Sequence, residues 1–345
     1  MRPASSFSSP SLTLLVPGLL WPNPALQDTV FDLPLPALQT LLGRSRLQRE
    51  ALDEAHWWQQ LAGQTVAPAP FRRLGLGAEA NDQAWLCADP VHLRFEQQTM
   101  VLEDPTKLSL SPAESAALAE TLIPLLEEFG TLHATSDKHW HLQPHGALPP
   151  CPTLISDLIG QPARALLPEG SEHRPWRRLF NEVQMSLHQH PVNQAREAAG
   201  QPVINSLALW GGGTLPTQPL NAPVFSEIQS DEGFHRGLAK HWNITATPLP
   251  QSFKPGQGHT LAVLPELLPP TRNRDAIGWR EGLKSLEQHW FVPALEDLQK
   301  GRLRSFVLVG FGDDNQRDTT LTATTHRFDK FKFWRRPRPL TELYP

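Results

Sequence analysis

Residues 12–16, Leu-Thr-Leu-Leu-Val, form a short apolar run cut off by Pro17 and Gly18. Consecutive apolar side chains point to both sides of a strand, so a strand here has to be covered on both faces. A buried strand this early, followed by a loop, usually opens an α/β sheet. Residues 304–309 make a second clean apolar strand and residues 259–264 a third. Helical stretches are spaced around them: 36–42, with Leu38, Leu41 and Leu42 on one face, then 46–61, then the long amphipathic 279–298. Residues 65–81 read as a connection.

The middle of the chain has a different grain. Residues 85–93 read as a strand and 97–102 as its partner. Ser111-Pro112-Ala113-Glu114 is a helix start, with serine at the N-cap, proline in the first helical position and glutamate in the third. That helix runs to about residue 129 and stops at Gly130, and 132–142 reads as a further strand. Prolines gather between residues 143 and 152, as at the exit of a small unit. The expected fold is α/β: a core sheet flanked by helices, with an inserted smaller α+β unit. The core is expected over residues 1–81 and 151–345, and the insertion over 82–150.

At 345 residues the chain is long for a single core. Its 39% hydrophobic and 19% charged residues are a globular mixture. The 35 prolines are spread along the chain, which points to many irregular connections. A net charge of −4 weighs against general nucleic-acid binding. The C-terminal stretch runs the other way: Lys330, Lys332, Arg335, Arg336 and Arg338 are interleaved with Phe331, Phe333 and Trp334. Such a mixture can grip a phosphate or a single strand, although a solvated tail packed by its own aromatics is the plainer expectation. Cys87 and Cys151 give no disulfide framework, which fits a reducing, cytoplasmic location. The first apolar run is too short to span a bilayer and lacks a charged leader, so neither a membrane segment nor a signal peptide is expected.

The stretch with the most chemistry is residues 182–213, EVQMSLHQHPVNQAREAAGQPVINSLALWGGG. Residues 176–189 are helical, and Pro191 can start a new helical turn that ends before Gly200. His190 then sits at the N-cap, and Asn193 and Arg196 share one broad face with it. The arginine fork suits a phosphate or carboxylate, and the other two add orienting hydrogen bonds. Residues 203–210 follow as a strand with Asn205 and Trp210, closed by Gly211, Gly212 and Gly213. Glycines there let a ligand approach the backbone, and open α/β sheets place their sites at that end of a strand. A capped solvated helix and a flexible turn are the plain alternatives.

Other groups invite weaker readings. His139 with His141, and His188 with His190, have zinc-like spacing, but no acid or thiol accompanies them and packing histidines are expected. Asp313 and Asp314 follow the strand 304–309, where carboxylates serve metal-dependent phosphate chemistry, or where a polar turn would put them anyway. His326 lies downstream. No G-x-S-x-G, Walker A or G-x-G-x-x-G sequence occurs.

His190, Pro191, Val192, Asn193, Arg196, Gly200, Asn205, Trp210, Gly211 and Gly213 together resemble a stretch of the archaeal-type cofactor-independent phosphoglycerate mutases, a branch of the alkaline-phosphatase superfamily. Residues 85–142 resemble that family's inserted domain more loosely. The whole chain is similar to a bacterial group of RpfE-type regulatory proteins, sometimes labelled phosphoglycerate mutase-like. The first resemblance implies an alkaline-phosphatase-like core and two metals held by Asp and His residues, with a Ser or Thr nucleophile near the N-terminus. The chain departs from that pattern. No Asp follows residues 12–16, Glu266 alone stands where an Asp and a His belong, and Asp313-Asp314 replaces an Asp-His pair.

The leading expectation is a non-catalytic regulatory or ligand-sensing relative, a pseudoenzyme. His190, Asn193, Arg196, Asn205, Trp210, Gly211, Gly212 and Gly213 would hold a small phosphorylated or carboxylated metabolite. The alternative is an active mutase or phosphatase with manganese or zinc on a rearranged set drawn from Glu266, Asp313, Asp314 and His326. A third reading is a protein–protein adaptor, prompted by eleven tryptophans and many prolines.

Overall fold

The computed structural model describes residues 10–22, 26–96, 98–134, 138–314, 317–332 and 334–343. Contacts divide the chain into two compact units: Met1–Gln64 with Leu220–Pro345, and Thr65–Pro219. We call them unit 1 and unit 2.

Unit 1 opens with β1 (Ser11–Leu20), buried at every position after the first. It continues through α1 (Leu26–Val30), α2 (Pro36–Arg44), β2 (Arg46–Glu50) and α3 (Glu54–Ala62). A single helix over 46–61 is therefore not what forms. Residues 46–50, RLQRE, are mostly exposed and pair with the last strand of the sheet, an edge that tolerates polar side chains. The helix begins only after Asp53, whose carboxylate accepts the His56 N–H at 2.7 Å.

Unit 2 begins with α4 (Pro68–Gly75), where a connection was expected. It continues with β3 (Trp85–Val91), β4 (Leu93–Glu96), β5 (Thr99–Leu102) and α5 (Pro112–Leu126), then β6 (Gly130–His133) and β7 (His141–Pro144). It closes with α6 (Arg174–His188), α7 (Pro191–Ala198) and β8 (Ser206–Gly213). The Ser111–Glu114 capping box is present as read. Residues 132–142 are not one strand but the two arms of the β6–β7 hairpin. β5 pairs with β4, not with β3, and Gln97 lies outside the described residues. The sheet order is β6-β7-β3-β8, antiparallel throughout. One face, with Leu86, Ala88, Leu142 and Leu207, packs on α5 and α6. The other, with Trp85, Cys87, Ala208 and Trp210, packs on α4 through Ala69.

The pairing of β8 with β3 from Val91↔Ser206 to Trp85↔Gly213 ties residues 206–213 into the insertion. The structure thus sets the second boundary at 219, where the sequence placed it at 150. The proline-rich stretch 143–152 crosses the surface of unit 2, and the chain returns to complete that unit's sheet.

Unit 1 resumes with β9 (Glu227–Gln229), α8 (Gly233–His241), β10 (Thr245–Thr247), β11 (His259–Val263), α9 (Leu268–Arg272) and α10 (Ala276–Leu286). It ends with α11 (Val292–Gln299), β12 (Ser305–Asp314) and β13 (Arg317–His326). The seven-stranded order is β10-β9-β11-β1-β12-β13-β2; the first five run parallel and β13 is antiparallel to both neighbours. The expected α/β class, a large sheet flanked by helices, is what forms. Leu12, Leu14 and Val16 of β1 share one core with α2, α10 and α11. On the other face Trp57 of α3 meets Phe311 edge-on. Residues 279–298 are two helices joined by a π turn, and there the Glu287 carboxylate accepts the N–H groups of Ala37 and Leu38 at the start of α2. Asn221 N–H donates to Ala62 O at 2.8 Å, so the chain leaves and rejoins unit 1 side by side. Among the described residues no helix is long and apolar enough to cross a membrane.

Candidate functional site

Open α/β sheets bind ligands beyond the C-terminal ends of their parallel strands. In unit 1 that edge is filled with apolar side chains. β1 shifts register between Val16 and Leu20. Gly18 turns the chain there at φ +78°, and a Cβ would lie 2.4 Å from Leu267 O. Its carbonyl accepts the Thr271 hydroxyl and the Trp279 indole N–H, both at 2.8 Å. Leu19 and Leu20 then lie against Gly310 and Gly312, which have room for no side chain. Trp21 packs on Trp279 with centroids 5.2 Å apart, and Leu264 and Leu267 are fully buried beside them.

Of the proposed metal ligands, Glu266 and the backbone of Asp313 and Asp314 lie at this edge, and His326 does not. Glu266 follows β11 at this edge, and crowding of its carboxyl raises its pKa. The backbone of Asp313 and Asp314 is strand, paired with Asp318 and Arg317, rather than the loop expected; their side chains lie outside the described residues. His326 is opposite Ser305, at the far end of the same hairpin. Eight residues of strand put it on the order of 27 Å from Asp313. Among the described residues no group of three or more His, Cys, Asp or Glu could hold a metal ion. The described side chains do not make a two-metal cage.

The 182–213 segment has the helix–strand–glycine form read from its sequence, but its polar side chains are engaged within unit 2. His190 is the N-cap of α7: Nδ1 accepts the Val192 N–H at 3.2 Å and Nε2 lies 3.0 Å from the Thr121 hydroxyl. Asn193 donates to Leu187 O and Ile204 O and accepts the Ile204 N–H. Arg196, its side chain 2% exposed, donates to Pro202 O, Ser109 O and Glu114 Oε1. Asn205 exchanges two hydrogen bonds with the Leu93 backbone. Trp210 donates its indole N–H to Asp89. Gly211 to Gly213 are the last strand residues of β8, not a free loop, and Gly211 N–H donates to Pro152 O. The segment joins α5, α6, α7 and two strands of one sheet.

A polar cluster lies on the opposite face of that sheet, under α4. Arg72 makes a two-pronged pair with Asp89 at 2.6 and 2.9 Å and also donates to Trp140 O and His141 Nε2. Only N–H groups are available on arginine, so His141 is neutral and carries its proton on Nδ1. Burial, then Arg72 and Arg73, push its pKa well down. That Nδ1 is buried with no partner. His133 stands directly across the hairpin from His141, and its Nε2 is likewise unpartnered. Burial, then Arg73, lowers its pKa. Arg73 stacks 3.6 Å above the Trp85 ring, whose edge meets His133, and donates Nε–H to Glu79 O. Its Nη1 has no partner either, and burial lowers its pKa. Arg72 is neutralised by Asp89; Arg73 has no carboxylate partner among the described residues. His139 precedes β7, so it does not share a strand face with His141.

Unit 2 also has a hollow lined wholly by apolar and aromatic side chains, among them Leu126, Leu166, Trp176, Phe180 and Leu209.

No family model and no curated protein matches the chain. One structural neighbour is a cofactor-independent phosphoglycerate mutase. It comes from Thermoplasma acidophilum, with 15% identity, a TM-score of 0.39, and coverage of 92% of this chain and 89% of that one. Another is the PH0037 protein of Pyrococcus horikoshii, with 12% identity, a TM-score of 0.48, and coverage of 92% and 87%.

Sequence reasoning passed over Arg72, Arg73, Asp89 and His133. The arginines follow Pro68-Ala-Pro70 in a stretch read as a connection. The signal available was Pro68 itself, at the first turn of α4, with two arginines one turn later.

Proposed function

We propose that this chain is a non-catalytic, regulatory binding protein on an α/β scaffold of the phosphoglycerate mutase type. The observation that carries this reading is the filled edge of the unit 1 sheet. Phosphotransfer there needs acids and a nucleophile around an open crevice, and Leu19, Leu20, Trp21, Leu267 and Trp279 take that space. The resemblance of residues 190–213 to the mutases then reflects a retained structural clasp.

The ligand class remains a small phosphorylated or carboxylated anion, but the groups that favour it are Arg73, His133 and His141. Two of the three unpartnered atoms, Arg73 Nη1 and His141 Nδ1, are donors. An uncompensated buried guanidinium and a lone imidazole N–H both call for an anionic acceptor.

The test pairs two measurements on the purified protein. With manganese or zinc added, no phosphoglycerate mutase or phosphatase turnover is expected; stoichiometric metal with turnover would overturn the reading. Phosphate and 3-phosphoglycerate are expected to raise the melting temperature, by the equivalent of about 2.7 kcal/mol at a hundredfold excess over Kd. Arg73→Gln should remove that rise. A rise equal in the variant would move the ligand elsewhere.

A further inference from the structure

Residues 327–338, RFDKFKFWRRPR, hold six cations and one carboxylate in a chain whose net charge is −4. The stretch is anchored to unit 1. Arg327 N–H donates to Arg304 O, Arg335 Nη1 to Ser45 O at 3.1 Å, and Arg338 N–H to Gln39 O at 2.9 Å. Gly43 lies so close that a Cβ would meet Arg336 O at 2.2 Å. Three of its aromatics are exposed to solvent: Phe328 is 65% exposed, Phe331 60% and Trp334 68%, while Phe333 lies outside the described residues.

Residues 327–331 are a 3-10 turn. Residues three apart lie on one side of such a turn, so Phe328 and Phe331 leave the chain on the same side. Arg327 and Lys330 form the matching ridge beside them. Each cation lies over a ring, at 4.8 Å for Arg327 on Phe328 and 5.4 Å for Lys330 on Phe331. The rings therefore keep exposed surface next to positive charge.

We propose that this surface binds single-stranded nucleic acid, with Phe328, Phe331 and Trp334 stacking on bases and Lys330, Arg335 and Arg336 facing phosphates. Flat rings alternating with cations are what a strand of bases and phosphates offers contacts to at every step. An anionic membrane is gripped by an amphipathic helix that lays an apolar face into it over several turns, and residues 327–331 make a single 3-10 turn.

The experiment is fluorescence anisotropy of the full chain with a labelled 15-nucleotide oligothymidylate. Saturable binding is expected at 50 mM salt, weakening at 150 mM with a log–log slope of about −0.7 per phosphate contact. Trp334→Ala should weaken binding at least fivefold and Phe331→Ala with Trp334→Ala at least tenfold. Lys330→Glu with Arg336→Glu should abolish it. Phe331, Trp334 and Arg336 are exposed, so melting temperature should not move in the aromatic variants; if the double aromatic variant melts lower, Trp334→Ala alone decides. Lys330 is half-buried with its ammonium on Gln299 O at 3.1 Å, so if the double charge variant melts lower, Arg336→Glu alone, which should weaken binding at least threefold, replaces it. No binding at 50 mM salt overturns the proposal. So does binding that the aromatic variants leave unchanged, or capture by phosphatidylserine vesicles without oligonucleotide binding.

Discussion

Arg196 donates to Pro202 O, Ser109 O and Glu114, and its side chain is 2% exposed. Its role is to tie α7 to the start of α5 and to the strand that follows. Arg196→Ala is expected to lower the stability of the protein by about 2 kcal/mol, because two part-buried carbonyls and a carboxylate lose the donor of a buried guanidinium. Chemical denaturation measures it; a variant as stable as the parent would show that those oxygens find water instead. The identity and spacing of His190, Asn193 and Arg196 were legible in the sequence, and so was the helix they sit on. Their direction was not. A capping histidine and an arginine on one helix face look alike whether they turn to a ligand or to backbone oxygens, and the choice depends on where α5 lies.

Among elements, those specified by neighbours in sequence were legible. Ser111, Pro112 and Glu114 close a capping box entirely within α5. β2 was not, since its five mostly polar residues become strand only because β13 offers an open edge. α8 carries the element-level consequence of burying a titratable group. His235 is stacked on Trp58 at 5.0 Å, lies against Phe234, and shares a 2.8 Å hydrogen bond with Ser230. Burial lowers its pKa to about 3. Below about pH 6.5 the unfolded chain takes up a proton that the folded chain refuses until about pH 3. This part of the stability is therefore whole at neutral pH and falls through that window by up to about 1.4 kcal/mol per pH unit. Melting temperature should drop between pH 6.5 and 4, and more shallowly in His235→Phe. Equal slopes would place the acid lability in other groups.

At the scale of the molecule, the α/β class was legible because buried strands announce themselves, whereas the extent of the insertion was not. Pairing of β8 with β3 spans more than a hundred residues and leaves no local mark. The Asn221–Ala62 hydrogen bond makes a prediction at this scale. Replacing residues 65–219 by a short glycine–serine linker should leave unit 1 folded, with a single cooperative thermal transition and its circular dichroism; a molten trace would show that unit 1 depends on its insertion. The same pairing also bears on the order in which the chain folds as it is made. β1 and β2 find their partners in β11, β12 and β13, so translation must pass His326 before the large sheet can be completed. Unit 2 is contiguous and has emerged long before. For most of synthesis, then, a finished insertion hangs between an unpaired N-terminal strand and a tail not yet born, and Leu12–Leu20 is the stretch that chaperones would have to guard.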